Sequence, residues 1–132
     1  MSEDNLESVV ASVESNELPV ADFSAILALP SEEYRWVDIP EWNARVKIRS
    51  LTKAEQIRLR KKSSKQGVVD DVLLEINLIA DTLVEPRLSP AQVDELFAKS
   101  NAKALNRIAA ASLTFSGLTE DYIGDAERDF KS

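Results

Sequence analysis

Carboxylates are the side chains of this sequence that could do chemistry, because it contains no histidine and no cysteine. That composition excludes thiol nucleophiles, imidazole bases, disulfides and the usual zinc sites. Paired carboxylates could act as general acid and base or hold magnesium. The candidates are Asp70, Asp71, Glu75 and Asp81, and then Asp125, Glu127 and Asp129. Helix capping and surface charge explain their spacing better, and three dispersed glycines cannot form a phosphate loop. We therefore expect no enzyme and no catalytic, cofactor-binding or metal site.

Basic residues are the second feature, and they are concentrated in one part of the chain. Residues 34–65 carry ten lysines and arginines against three acids, whereas residues 1–33 carry eight acids and no base. The candidate partner-binding residues are Trp42, Arg45, Lys47, Arg49, Arg58, Arg60, Lys61 and Lys62. Three interpretations stay open: a solvated surface, a face for an acidic protein, and a nucleic-acid platform. Trp42 is either a plug of the core or an anchor for a partner.

A strand, turn, strand and helix over residues 34–62 must position these side chains. Apolar and polar residues alternate in 34–39 and in 44–49, which predicts two strands with one buried face each. Pro40 breaks the first strand, so we expect a hairpin over about 34–50. Thr52 and Glu55 have the spacing of a capping box, which starts a polar helix ending near residue 62.

Helices are predicted for most of the remaining chain. Asp22 can cap a short helix that ends before Pro30, and Asp70 starts a buried helix that continues to Glu85. Residues 63–67 indicate a loop between helices. Start signals at Ser89, Asn101 and Thr119 predict three more helices, and Gly117 is a left-handed stop before the last of them.

The fold class that follows is α+β and mainly α-helical, with the hairpin packed on a body of four to five helices. We expect residues 1–21 to be a flexible acidic arm and residues 22–132 to be a single domain. The arm is either a solubilising tail or a shield for the basic centre. No apolar run approaches a membrane span and no leader begins the chain, so a soluble, unprocessed protein is expected.

Several segments of the chain together resemble the tail assembly chaperones of long-tailed bacteriophages and prophages. The segments are Val37-Asp-Ile-Pro-Glu-Trp42, Val46-Lys-Ile-Arg-Ser-Leu-Thr52, Ile79-Ala-Asp-Thr-Leu-Val-Glu-Pro86, Leu88-Ser-Pro-Ala-Gln-Val-Asp-Glu-Leu96 and Phe115-Ser-Gly-Leu118. The likeness covers roughly residues 20–132. It departs from the family pattern at Asn43-Ala44, where two glycines are the commoner turn.

The resemblance implies a non-enzymatic helper in the cytoplasm of the bacterial host. Such a chaperone binds the tape measure protein, keeps it soluble, recruits tail tube subunits and is absent from the mature virion. The implied partners are the tape measure protein and the major tail tube protein, with a frameshifted longer form of the chain and a homo-oligomer as further options. The alternatives are a small nucleic-acid-binding phage regulator that uses the basic 45–65 face and a minor structural tail protein.

Overall fold

Strands β1 (Tyr34–Ile39) and β2 (Ala44–Arg49) form an antiparallel hairpin. The structure is a computed structural model that describes residues 17–118. Pro40–Trp42 form a 3₁₀ turn between the strands, and Asn43 follows in the left-handed conformation with φ 51°. Asparagine is one of the few residues besides glycine that adopts this conformation readily. Asn43 therefore supplies the left-handed position of the turn without a glycine.

A third strand, β5 (Leu83–Glu85), pairs with β2 and gives the sheet order β1-β2-β5. The sequence prediction was wrong here, because it extended the preceding helix to Glu85. That helix, α3 (Asp71–Thr82), instead ends at Thr82, and the chain continues directly as a strand. Leu83 is buried opposite Ile48 of β2, so the long-range pairing overrides the local helical pattern.

Helix α2 (Lys53–Lys62) begins with the predicted capping box: the Glu55 amide donates to Thr52, and the Thr52 amide donates to the Glu55 side chain. After α2 the sequence predicted a loop, but a small hairpin of β3 (Ser64–Lys65) and β4 (Val68–Val69) is present. Gln66 and Gly67 have φ values of 55° and 81°. Positive φ at both central residues is the geometry of a two-residue hairpin turn.

Three helices form the body behind the sheet, and each has the cap that the sequence predicts. Asp70 caps α3, Ser89 caps α4 (Pro90–Lys99) and Asn101 caps α5 (Ala102–Phe115). Gly117 follows α5 with φ 75°, as predicted. The predicted last helix, from Thr119, lies outside the described residues. Across residues 17–118 no helix is both long and apolar enough to cross a membrane.

The core consists of two clusters of apolar side chains on different sides of α3. The first joins the inner face of the sheet to α3, α4 and α5. Its fully buried members are Ile39, Ile48, Ile79, Val93, Ala104 and Ile108. The second cluster joins α2 to α3 and to the end of α5 through Leu51, Leu59, Leu74, Leu78 and Leu113. The fold is therefore α+β and mainly helical, as the sequence predicts.

Four buried polar side chains of this core are paired with one another, and a fifth, Gln56, donates to the Ser116 carbonyl. The Thr82 and Ser112 hydroxyls lie 2.9 Å apart and join α3 to α5. The Asn77 amide donates to the Ser63 hydroxyl at 3.0 Å and joins α3 to the end of α2. Each bond satisfies groups that would otherwise be desolvated without a partner.

The chain forms two units, Met1–Pro30 and Ser31–Ser132. In the first, α1 (Phe23–Ala28) is capped by Asp22, whose carboxylate accepts from the Ala25 amide at 3.2 Å. This helix confirms the short element predicted before Pro30, and it has no buried residue. The arm predicted for residues 1–21 lies largely outside the described residues.

Candidate functional site

The solvent-facing side of the β1–β2 hairpin combines aromatic and basic side chains. Strand alternation places Arg35, Val37 and Ile39 of β1 and Ala44, Val46 and Ile48 of β2 toward the helices, and the other six side chains on the opposite face. We call that opposite face the open face. It consists of three cross-strand pairs: Tyr34 with Arg49, Trp36 with Lys47, and Asp38 with Arg45.

Cations lie against both aromatic rings of the open face. The guanidinium carbon of Arg45 is 4.1 Å from the Trp36 ring centroid. The ammonium of Lys47 lies 5.2 Å from the Tyr34 ring and 5.6 Å from the Trp36 ring. These distances are in the range of cation–π attraction, which holds the long basic side chains over the rings. Trp36 is still 44% exposed and Tyr34 51% exposed, so the face keeps aromatic surface available to a partner.

Arg49 has a different role from its two basic neighbours on β2. Its guanidinium forms a bidentate ion pair with Glu55, with nitrogen–oxygen distances of 3.0 and 3.1 Å, and lies 3.7 Å from Glu32. Only 17% of the Arg49 side chain is exposed. The bidentate pair joins the end of β2 to the first turn of α2. Because Arg49 is already paired, it is less available for an ion pair with a binding partner.

Acid should weaken this junction. The Arg49 hydrogen bond, together with the Thr52 amide, lowers the pKa of Glu55 to about 2 from an ordinary value of 4.5. Because the folded-state pKa is the lower one, the pair stabilises the fold fully above about pH 4.5 and progressively less as pH falls toward 2. We expect Glu55→Gln to flatten the decline of unfolding free energy over that window, measured by urea titration at several pH values. Glu95→Gln, which removes a carboxylate from an exposed pair on α4, should behave like the wild type.

Trp42 belongs to the core edge more than to the open face. Its indole N–H donates to the Ser100 hydroxyl at 2.9 Å, and its ring packs against the first core cluster. The neighbouring Glu41 accepts two bonds from Arg107, at 2.8 and 3.1 Å. These hydrogen bonds lower the pKa of Glu41 and raise that of Arg107. The turn is thereby fixed to the helical body, which favours the plug interpretation of Trp42.

The four basic candidates on α2 also differ from one another. Lys62 pairs with Asp81 of α3 at 2.8 Å, and the Arg60 carbonyl accepts a bond from the Ser64 hydroxyl. Arg58 and Lys61 are exposed. Ile57 lies one helical turn before Lys61 on the same side of α2 and is 48% exposed. The outer side of α2 thus combines one apolar residue with two cations.

Sequence reasoning placed Arg45 and Lys47 on one face correctly but did not include Tyr34, Trp36 or Ile57 among the candidate residues. The signal for the two aromatic residues was present in the alternation of β1. With the hairpin register, that alternation puts them on the same face as the basic residues of β2. Ile57 gave no comparable signal, because an isolated apolar residue on a polar helix is as compatible with burial as with exposure.

Two of the carboxylates considered for a catalytic or metal site, Asp70 and Asp81, form structural contacts within the fold. Asp70 caps α3, accepting from the Leu73 amide at 2.8 Å, and pairs with Lys65 at 3.2 Å. These contacts lower the pKa of Asp70. Burial and the nearby Asp71 raise the pKa of Glu75. Within residues 17–118, no three acidic side chains approach closely enough to hold a metal ion. The group at 125–129 lies outside the described residues.

A shallow hollow of about 420 Å³ lies between the starts of α3 and α4. Its wall is mostly apolar, formed by Val72, Leu73, Ile76, Pro90 and Ala91, with Lys65, Asp70 and Asp94 at the rim. No set of convergent polar groups accompanies it among the described residues that line it, so the open face remains the stronger candidate site. Comparison of the chain with protein-family models, curated proteins and solved structures gave no match.

Proposed function

We propose that this chain is a tail assembly chaperone of a long-tailed bacteriophage or prophage. In this role it binds the tape measure protein in the bacterial cytoplasm, keeps that protein soluble, recruits tail tube subunits and leaves before the virion is complete. The chain acts by binding and not by catalysis.

The observation that carries the proposal is the exposed aromatic and basic composition of the open face. Tyrosine, tryptophan and arginine are the residue types most enriched among side chains that dominate protein–protein binding energy. On the open face, Tyr34, Trp36 and Arg45 lie within one small area on a rigid hairpin. Stacking of Arg45 on the Trp36 ring fixes both side chains before binding, which reduces the entropy lost on association.

The segments that resemble phage tail chaperones also lie in the elements that build and support this face. Val37-Asp-Ile-Pro-Glu-Trp42 covers the end of β1 and the 3₁₀ turn, and Val46-Lys-Ile-Arg-Ser-Leu-Thr52 covers most of β2 and the cap of α2. Ile79-Ala-Asp-Thr-Leu-Val-Glu-Pro86 includes all of β5. The other two segments lie in and before α4 and at the end of α5, so the resemblance covers the sheet together with the helices that pack behind it.

The outer side of α2 is a second contact area in this proposal. Tape measure proteins are long and helical in the family that the chain resembles, and amphipathic helices bind through apolar anchors bordered by charge. Ile57 with Arg58 and Lys61 offers a small apolar contact with two cations for acidic residues of such a helix.

Reversing the two cations of the open face that lie against its aromatic rings should abolish chaperone activity; one of them, Lys47, also lies 3.7 Å from the Glu85 carboxylate. We expect Arg45→Glu combined with Lys47→Glu to leave the tape measure protein insoluble on co-expression, because two attractive charges become repulsive toward an acidic partner. The measurement is the soluble fraction of the tape measure protein and its co-elution with the chain in size-exclusion chromatography.

The matched control is Lys99→Glu combined with Lys103→Glu, which makes the same change in net charge on α4 and α5. This variant should keep the tape measure protein soluble. Far-UV circular dichroism of both variants verifies that they fold, and the milder Arg45→Gln with Lys47→Gln replaces the first pair if they do not. Equal activity of wild type and the open-face variant would refute the placement of the site.

One observation favours a nucleic-acid-binding regulator as a second candidate: rings and cations occur together on a sheet face, as in proteins that stack bases. Such a protein would bind DNA or RNA with an affinity that falls steeply with salt. Titration of the wild type with single-stranded oligonucleotides at two salt concentrations separates the two functions. Detection of the chain in purified virions would instead support a structural tail protein.

A further inference from the structure

Strand β1 is an edge of the sheet with unpaired backbone groups. Within the described part of the chain, β2 is its only strand neighbour. The Ser50 amide donates to the Glu33 carbonyl at 2.9 Å, which sets the hydrogen-bonding phase of the hairpin. In that phase Arg35, Val37 and Ile39 bond to β2, since paired groups alternate along antiparallel strands. The amides and carbonyls of Tyr34, Trp36 and Asp38 therefore point away from β2, along the outer edge.

This edge lacks most of the features that prevent strand pairing. Natural edge strands are protected by charged side chains, especially lysine, and by prolines, bulges or very short length. The two charged side chains of β1 are Arg35, whose guanidinium lies over the Phe115 ring, and Asp38. Over its six residues β1 contains no lysine and no proline, and its pairing with β2 is regular from Tyr34 to Ile39. Its tyrosine, tryptophan, valine and isoleucine are all residue types that favour strands. The edge is therefore suited to accept another strand.

We propose that β1 pairs with β1 of a second copy of this chain, antiparallel about a two-fold axis at Trp36. In this register Trp36 lies opposite Trp36 of the partner subunit, and Tyr34 lies opposite Asp38 of the partner subunit. All three outward-pointing residues of each strand are then bonded, which gives about six backbone hydrogen bonds. A shift by two residues in either direction leaves outward-pointing groups of β1 without a partner in the other strand.

Side-chain chemistry on the open face supports a copy of the same chain as the partner. The pairing places the partner subunit's Asp38 beside Tyr34, where the Lys47 ammonium already lies 5.2 Å from the ring. The Tyr34 hydroxyl already donates to Glu32 at 2.6 Å, so the group that the partner subunit's carboxylate meets is the Lys47 cation, and the two-fold axis repeats this arrangement on the other side of the tryptophan pair. Cross-strand aromatic pairs and opposite charges each stabilise a sheet by roughly 0.2–1 kcal/mol.

The result is a six-stranded sheet, β5-β2-β1 continued by the same strands of the second copy in reverse order. The two open faces become one continuous surface with twice the aromatic and basic residues. This dimer does not depend on the identity of the tape measure protein or on the chaperone function, and it is tested on the purified chain alone.

Disulfide trapping tests the register directly, because the chain has no cysteine of its own. Opposite residues of a hydrogen-bonded antiparallel pair have Cα atoms about 5.5 Å apart, which suits a disulfide. We expect Trp36→Cys to form a covalent dimer rapidly under mild oxidation. Arg45→Cys is the control: on β2 its two copies would be separated by at least about 14 Å, three strand spacings. Equal cross-linking of the two variants would overturn the proposal.

Proline substitution tests the edge independently of oxidation. The Trp36 amide points away from β2, so Trp36→Pro keeps the hydrogen bonds within the hairpin and removes a donor only from the outer edge. We expect the wild type and Trp36→Ala to sediment as dimers and Trp36→Pro to sediment as a monomer with unchanged far-UV circular dichroism. A wild type that stays monomeric at high concentration, or a folded Trp36→Pro that stays dimeric, would refute pairing through β1.

Discussion

Replacing Leu59 with alanine is expected to lower the free energy of unfolding by about 3 kcal/mol, within the range measured for buried leucines. Leu59 has no exposed surface and packs with Leu51, Leu74, Leu78 and Leu113. It is the one fully buried apolar side chain of α2, a helix otherwise made almost entirely of polar and charged residues. Its removal leaves a cavity that the surrounding leucines, on α3, on α5 and in the segment before α2, can fill only in part.

Ile57→Ala is the matched control for Leu59→Ala on the same helix. Ile57 is 48% exposed, so its truncation creates no enclosed cavity and should change the unfolding free energy by less than about 1 kcal/mol. Both variants can be compared by urea denaturation followed by circular dichroism. If the two substitutions had similar effects, α2 would not be anchored through Leu59.

Thr82→Val is the second substitution with a large expected effect, at about 2 kcal/mol of lost stability, because it leaves a buried hydroxyl without its partner. The Thr82 hydroxyl contacts the Ser112 hydroxyl at 2.9 Å and donates to the Leu78 carbonyl at 2.8 Å. Valine has nearly the same shape as threonine, so the change tests the hydrogen bonds rather than packing.

The double variant Thr82→Val with Ser112→Ala separates the energy of the hydrogen bond between the two hydroxyls from the cost of burying one hydroxyl without a partner. Removing both hydroxyls leaves no orphaned group at this contact, so the double variant should be less destabilised than the sum of the two single variants. The measurement is a double-mutant cycle from thermal or urea unfolding. Strict additivity would mean that the two side chains do not interact in the folded protein.

Elements with a local chemical signal could be predicted well from the sequence. The capping box of Thr52 and Glu55 and the one of Ser89 and Gln92 are both present. Each depends only on residues three positions apart, so the sequence contains all of the information that the structure uses. The alternation in β1 and β2 likewise predicted which side chains face the helices.

Strand β5 could not be predicted in the same way. Leu83 and Val84 continue the apolar spacing of α3, and Pro86 is a reasonable helix stop, so every local signal favours a longer helix. The strand forms because Leu83 and Glu85 pair with Ile48 and Lys47, residues that lie more than thirty positions earlier. Helix propensity is a weak preference that such tertiary pairing overrides.

For the same reason, only a part of the candidate site could be predicted from the sequence. Sequence reasoning identified the basic residues, but their environments depend on contacts that the sequence does not reveal. Arg49 is paired with Glu55 across an element boundary, whereas Arg45 lies on the Trp36 ring. The register of the hairpin brings Trp36 and Tyr34 beside the cations. It thereby distinguishes the cations of the binding surface from Arg49, which forms a structural ion pair.

The position of α3 between the two core clusters has a thermodynamic consequence. Leu74 and Leu78 belong to one cluster, while Ile76 and Ile79 belong to the other. Loss of either cluster strips apolar contacts from the same helix, so residues 31–118 should unfold as one cooperative body. A molecule that binds only the intact open face would then stabilise α2 and α5 as much as the sheet, by an amount set by its concentration relative to its dissociation constant.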